Sequence, residues 1–229
     1  MLALNKLISI LIPAYNEADR IADTILAVQS LTEFDLEIIV INDGSSDQTA
    51  EVVKPLGVRL IDLEVNQGKG AALNQGLKKA TGKIIALLDA DLGETAREVE
   101  KLLLPVFQQE ADLTIAQFPA AKKKGGFGLV KGLARLGLKY LAGFEATEPL
   151  SGQRVLTREL IDYLTGFRAG FGVEVAMTIE AIRGGFKVKE IPVRMEHRET
   201  GRDLAGFKHR GQQFKDVLAV LCTQVRGGN

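Results

Sequence analysis

The clearest structural signal in the chain is KIIALLDAD, residues 83–91. Lys83–Leu88 is of strand length and, Lys83 aside, apolar on both faces. That pattern marks a strand covered on both sides within a parallel sheet. Two carboxylates, Asp89 and Asp91, close the run. Open α/β sheets bind ligands beyond the carboxyl ends of their strands, so both acids stand where chemistry is expected.

The same rhythm extends outward. Leu7–Ile12 (LISILI), Glu37–Ile41 (EIIVI) and Val58–Leu63 read as strands upstream. Between them lie predicted helices over Glu17–Leu31, Ser45–Lys54 (ended by Pro55) and Gly70–Ala80 (stopped at Thr81–Gly82). Downstream follow a helix over Glu94–Gln109 and a fifth strand over Ala111–Ala116. Strand and helix in alternation predict crossover units, hence an α/β fold with a mostly parallel, Rossmann-like sheet flanked by helices. The rhythm breaks at Gln117. A Gly- and Lys-rich piece follows, then a basic amphipathic helix to about Ala142. Residues 147–229 mix short strands, one over Val188–Val193, with helices near Val173–Arg183 and Gln212–Val225. With no internal repeat and no low-complexity linker, 1–229 reads as one domain. Its halves are a nucleotide-binding part (1–116) and an acceptor-binding part (117–229).

Composition agrees. Of 229 residues, 46% are hydrophobic and 25% charged, which supports a core and a solvated surface and excludes disordered or collagen-like chains. Twenty-nine basic residues balance twenty-nine acidic ones, so no global field draws nucleic acid. Cys222 is the single cysteine; it forms no internal disulfide, and a cytoplasmic location is expected. Leu7–Ala14 lacks a basic stretch and a small-residue cleavage site, so it reads as a strand and not a signal peptide. No run approaches the ~18 apolar residues of a bilayer span, so any membrane contact is expected to be peripheral, at the inner face. The oligomeric state is not legible; a homodimer is kept as an expectation.

Four strand ends carry the candidate site. They are Pro13-Ala14-Tyr15-Asn16-Glu17, Asn42-Asp43-Gly44-Ser45-Ser46-Asp47, Asn66-Gln67-Gly68-Lys69-Gly70 and Asp89-Ala90-Asp91. Neighbouring carboxylates repel unless a cation joins them. Asp89 and Asp91 therefore point to Mg²⁺ or Mn²⁺, hard ions that share their shell with substrate phosphates. The bland alternative is capping, with Asp91 and Glu94 closing the start of the next helix. Asp43, on its strand end, can accept a hydrogen bond from the N3–H of a uracil ring, while Ser45 or Ser46 reads equally as a cap of the next helix with Asp47 in its first turn. Lys69 opens a helix beside backbone N–H groups suited to phosphate; a solvated lysine is the alternative. No G-x-x-x-x-G-K-[ST] occurs, and the last Gly/Ala of a dinucleotide fingerprint is missing. His197, in MEHRETGR, is a candidate third metal ligand on a loop that closes on an anion.

These motifs together resemble a known family. PAYNE, NDGSSDQT and NQGKGAALNQGLKKATGKIIALLDAD follow, in order and spacing, the pattern of GT-A-fold glycosyltransferases of the family-2 type, over residues 6–116. The resemblance implies nucleotide contacts at Pro13, Ala14, Tyr15, Glu17, Asp43, Lys69 and Asp89, and a metal on Asp91. PLSGQR (149–154), TREL, GFGVE (170–174) and His197-Arg198 resemble glucosyl-3-phosphoglycerate synthases. That implies His197 joining the metal with the D-x-D acids, and Glu174 at the acceptor side as a catalytic residue with Asp91 and Lys69. It also implies Gly125, Gly126, Gly152, Arg154 and Arg198 around a small phosphorylated acceptor. Gly125–Val130 lacks the Arg and Thr those synthases use for phosphoglycerate. The second half is similar, too, to polyprenyl-phosphate sugar transferases, through SGQR and VKEIPV (188–193). Between Lys122 and Phe144 stand six basic residues and no acidic one, a pattern for helix 127–142 lying on an anionic membrane. The expected activity is metal-dependent hexose transfer from a UDP- or GDP-linked sugar to a phosphorylated or hydroxyl acceptor. The alternatives are transfer to polyprenyl phosphate and a non-catalytic nucleotide-sugar-binding regulator.

Overall fold

The computed structural model describes residues 7–119, 128–164, 166–167, 172–196 and 214–224. Strands β1 (Ile8–Ala14), β2 (Leu36–Asp43), β3 (Arg59–Leu63) and β4 (Ile84–Leu87) lie parallel in the order β3-β2-β1-β4. Helices α1 (Ile21–Gln29), α2 (Thr49–Val53) and α3 (Lys69–Leu77) make the crossovers. Helix α4 (Val99–Phe107) leads to β5 (Leu113–Gln117). The sheet continues through β6 (Arg154–Thr157), antiparallel to both β4 and β5, and ends at β7 (Val188–Pro192), parallel to β5.

Alternation along the strands explains the two-sided core. Ile8, Ile10 and Ile12 of β1 with Ile38 and Val40 of β2 meet α1 and α4 on one face. Leu11, Ile39 and Ile41 turn to the other, where Ala72 and Leu73 of α3 lie with Leu160 and Ile161 of α6 (Arg158–Leu164) and Met177 of α7 (Val173–Arg183). The short runs thus read correctly as strands covered on both sides.

Several boundaries differ from the sequence reading. The helix expected from Glu17 begins at Ile21, because Asn16 adopts φ 57° and residues 15–20 turn over the strand end. The helix expected over Glu94–Gln109 divides into a 3₁₀ segment, Gly93–Glu98, and α4. The mostly parallel sheet is as expected; the insertion of antiparallel β6 between β4 and β5, and helix α6, were not anticipated.

The basic helix is α5 (Gly128–Ala142), and a last helix, α8, spans 214–224. Val130, Ala134 and Leu138 pack with Val217 and Leu221 of α8. The basic stripe meets its charge within the chain. Lys131 pairs with Glu148, Arg135 donates to the Thr147 carbonyl, and Lys139 lies 2.7 Å from Glu145. Glu190 of β7 fastens the same segment by accepting the N–H groups of Thr147 and Glu148. No helix among the described residues is long and apolar enough to cross a membrane.

Candidate active site

Because β1 to β4 are parallel, their carboxyl ends share one edge, and the four predicted loops meet there. Pro13, Ala14, Tyr15, Asp43, Lys69 and Asp89 line a cavity of about 150 Å³ together with Asn66 and Gly68. Of the expected nucleotide residues only Glu17 lies outside that lining; its N–H is held by Thr49 Oγ1 at 2.9 Å. Asn66 and Gly68 were legible only as members of a loop.

The first two loops are stitched together. Asn16 N–H donates to Ser45 Oγ (2.9 Å), Ser46 N–H to Asn16 Oδ1 (2.8 Å) and Ala18 N–H to Asp47 Oδ2 (3.2 Å). The serines therefore join loops, and neither caps α2, which begins after Gln48 without a side-chain cap. Asp43 is buried and accepts the N–H groups of Gln67 and Gly68, one on each oxygen, both at 2.8 Å. It holds the third loop in the shape that starts α3. Gly68 takes φ 88° there, a backbone state costly for any other residue. A base reaching Asp43 would share an oxygen that already accepts one backbone N–H.

Lys69, the first residue of α3, donates to Asp89 Oδ1 at 2.6 Å. Asp89 Oδ2 accepts from Gln153 Nε2 at 2.6 Å. The antiparallel register of β4 and β6, with Leu87 opposite Arg154, delivers Gln153 and Gly152 to this carboxylate. A Cβ on Gly152 would collide with Lys69 Nζ and come to 3.4 Å from both Asp89 oxygens. Gly152 is thus the room in which Lys69 reaches Asp89, a packing role beside the acceptor role expected of it.

Glu174, at the start of α7, completes the charges. Burial pushes its carboxyl up, and the charges of Lys69 and Arg154 draw it partly back. Burial also works against the Lys69 ammonium, but Asp89 and Glu174 outweigh it and hold that group above its ordinary range. Arg154 is fully buried; burial lowers it to about 10, so it stays cationic at neutral pH. Its guanidinium donates to Ser151 O (2.8 Å), Pro149 O (3.3 Å) and Thr178 Oγ1 (2.8 Å). The resemblance places Arg154 among the acceptor contacts; here its guanidinium is enclosed by the chain and lies in the electrostatic reach of Glu174.

Asp91 is half-buried on the turn after β4. Thr24 of α1, missed in the sequence, braces that turn by donating to Ala90 O and accepting Gly93 N–H, both at 2.8 Å. The 3₁₀ segment starts after Leu92, which puts Asp91 one residue ahead of the N-cap position that the capping alternative gave it. Asp91 fits a hard divalent ion that takes its other ligands from phosphate. Asp89 accepts a hydrogen bond on each oxygen, from Lys69 and from Gln153, so a metal reaching it would share those oxygens. His197, Arg198, Gly125 and Gly126 lie outside the described residues. Among the described residues no three acidic, histidine or cysteine side chains gather for a metal.

Comparison with known proteins agrees with this architecture. The family profile "Glycosyl transferase family 2" matches residues 9–173. An uncharacterised protein of Methanocaldococcus jannaschii is 31% identical over 216 residues, 88% of each chain. Poly-beta-1,6-N-acetyl-D-glucosamine synthase of Staphylococcus epidermidis is 48% identical over 88 residues, 37% of this chain and 21% of that one. Glucosyl-3-phosphoglycerate synthase of Mycobacterium tuberculosis, solved with Mn²⁺, UDP and phosphoglyceric acid, superposes with a TM-score of 0.80 at 26% identity, over 96% of this chain and 78% of that chain. The same synthase has been solved with Mg²⁺ and UDP at a TM-score of 0.79. With a matching profile over most of its length and this sheet beneath its loops, the chain belongs to glycosyl transferase family 2 and is a glycosyltransferase of GT-A fold.

Proposed function

We propose that this glycosyltransferase moves a hexose from a UDP- or GDP-linked donor to a small phosphorylated or hydroxyl acceptor, with Mg²⁺ or Mn²⁺ as cofactor. The observation that carries the reading is the Lys69–Asp89 pair at the carboxyl edge of four parallel strands, in a cavity that Tyr15 and Asp43 also border, with Asp91 two residues beyond Asp89 on the turn after β4. The relatives solved with UDP, Mn²⁺ and phosphoglyceric acid support a uridine donor and a phosphorylated acceptor.

Asp91 would hold the metal, with His197 as its proposed partner. When bound, the ion supplies Lewis-acid stabilisation of the departing diphosphate. Lys69 adds a fixed positive charge on the same side, and Arg198 is assigned to the acceptor. Glu174, a half-buried carboxylate between Lys69 and Arg154, takes the proton of a hydroxyl acceptor. A phosphate acceptor is already anionic and needs little help from it.

Polyprenyl phosphate remains a second acceptor because Leu129, Leu136 and Tyr140 expose their side chains along the outer side of α5. The test is nucleotide release from a panel of UDP- and GDP-sugars with Mg²⁺ or Mn²⁺, with phosphoglycerate and with polyprenyl phosphate in separate arms. Asp91→Asn is expected to lower the metal-dependent rate by about 100-fold or more. An unchanged rate in that variant refutes the metal assignment, and stimulation by one acceptor alone selects between the two.

A further inference from the structure

We infer that Gln153 is a positioning residue of the transfer reaction, acting through Asp89; the inference rests on the function proposed above. Gln153 is fully buried at the entry to β6. Its Nε2 holds Asp89 Oδ2 while Lys69 holds Oδ1, each at 2.6 Å, so the carboxylate is clamped from both sides. The other end of the amide is differently placed. Gln153 Oε1 is buried and has no hydrogen-bond partner among the described residues, and Ser151 Oγ, two residues earlier, is in the same condition. Turning the amide over does not help, because it would set one acceptor against another at Asp89.

A buried carbonyl without a donor destabilises a fold. An apolar side chain of the same shape would serve the core better. What the glutamine provides instead is one directed N–H on one carboxylate of the site. A residue that breaks a packing rule and makes such a contact is characteristic of a functional position. The physical consequence concerns Lys69. On arrival of a diphosphate its ammonium must divide its attention between Asp89 and the phosphates. Gln153 keeps the Asp89 carboxylate oriented while that happens.

Gln153→Met keeps the shape and removes both the donor and the stranded acceptor. Its melting temperature is expected to equal or exceed the parent's. Its kcat for nucleotide release is expected to fall by about tenfold or more, with donor KM changed by less than about threefold. The double variant with Asp89→Asn should be no slower than Asp89→Asn alone, since both act on one carboxylate. Gln153→Leu, of similar size and without any donor, should show the same kcat loss. Parental kcat in Gln153→Met, or losses that multiply with those of Asp89→Asn, would overturn the inference. So would failure of both variants to fold, which makes Gln153 a structural residue. If the parent releases nucleotide from no donor, the proposed function falls instead. Gln153 is then judged from crystal structures of parent and Gln153→Met: an Asp89 carboxylate rotated away from its parental position supports the inference, and an unmoved one overturns it.

Discussion

Gly152 shows how much one methyl group decides. The atom its Cβ would strike is the far end of a flexible lysine, so the backbone need not yield. Gly152→Ala should fold with a melting temperature close to the parent's while Lys69 is driven off Asp89. A displacement on the scale of 1 Å at such a group costs about 100-fold in rate, which initial-rate measurements would register. Glu174 makes a second prediction. A base works only when deprotonated, and burial raises this carboxyl against the pull of Lys69 and Arg154. The acid limb of kcat/KM should therefore lie above the ~4.3 of an unperturbed glutamate. Glu174→Gln should abolish that limb and slow a hydroxyl acceptor by about 10²–10⁴-fold, and a phosphate acceptor far less.

The elements are held in register by polar clasps at their ends. Glu37 of β2 is the best formed. Its Oε1 accepts Ser9 Oγ of β1 at 2.5 Å, Thr81 Oγ1 at 2.9 Å and Gly82 N–H at 3.0 Å, joining two strands to the turn that starts β4. Burial alone would raise this carboxyl, but the donors from Ser9, Thr81 and Gly82 outweigh it, and the group lies below its ordinary range. A depressed folded-state pKa contributes stability above the unfolded value of ~4.3, and that contribution is lost as pH falls through the folded value. Glu37→Ala should cost about 1 kcal/mol at pH 7, less than the ~1.5–3 kcal/mol of a charged hydrogen bond because the group is only half-buried. Urea midpoints of parent and variant should converge in acid. Glu190 has a similar clasp on residues 147–148, which explains the acid of the EIPV strand without any contact to a ligand.

Across the whole molecule, one buried arginine links the sheet to the helix layer formed by the second half of the chain. Arg154 reaches from β6 to the 149–151 segment and to Thr178 of α7, and its charge sits beside Glu174. Arg154→Met would strip Glu174 of one of its two cations and leave three acceptors without their donor. About 3 kcal/mol of stability should be lost, read from urea unfolding, because breaking a buried charge pair leaves its partner uncompensated. The acid limb assigned to Glu174 should move to higher pH in the same variant. Both effects together separate this role from a contact with acceptor, which would change KM and leave unfolding alone.

Local chemistry made the parallel half of the molecule readable. Its inner strands β1, β2 and β4 are largely apolar on both faces, so their burial has one solution, and polar residues collected at strand ends face the ligand edge. The loops that carry Pro13, Ala14, Tyr15, Asp43, Lys69 and Asp89 are therefore legible as one edge, and the family resemblance singles out these residues within them. Tertiary contact alone decided which of them touch. Gln153 and Asp89 are 64 residues apart, and nothing near either one indicates that β6 runs antiparallel against β4. Strand partners are chosen by the packing of whole faces, and that choice set Gln153 on Asp89, Gly152 against Lys69 and Arg154 on the 149–151 segment and Thr178.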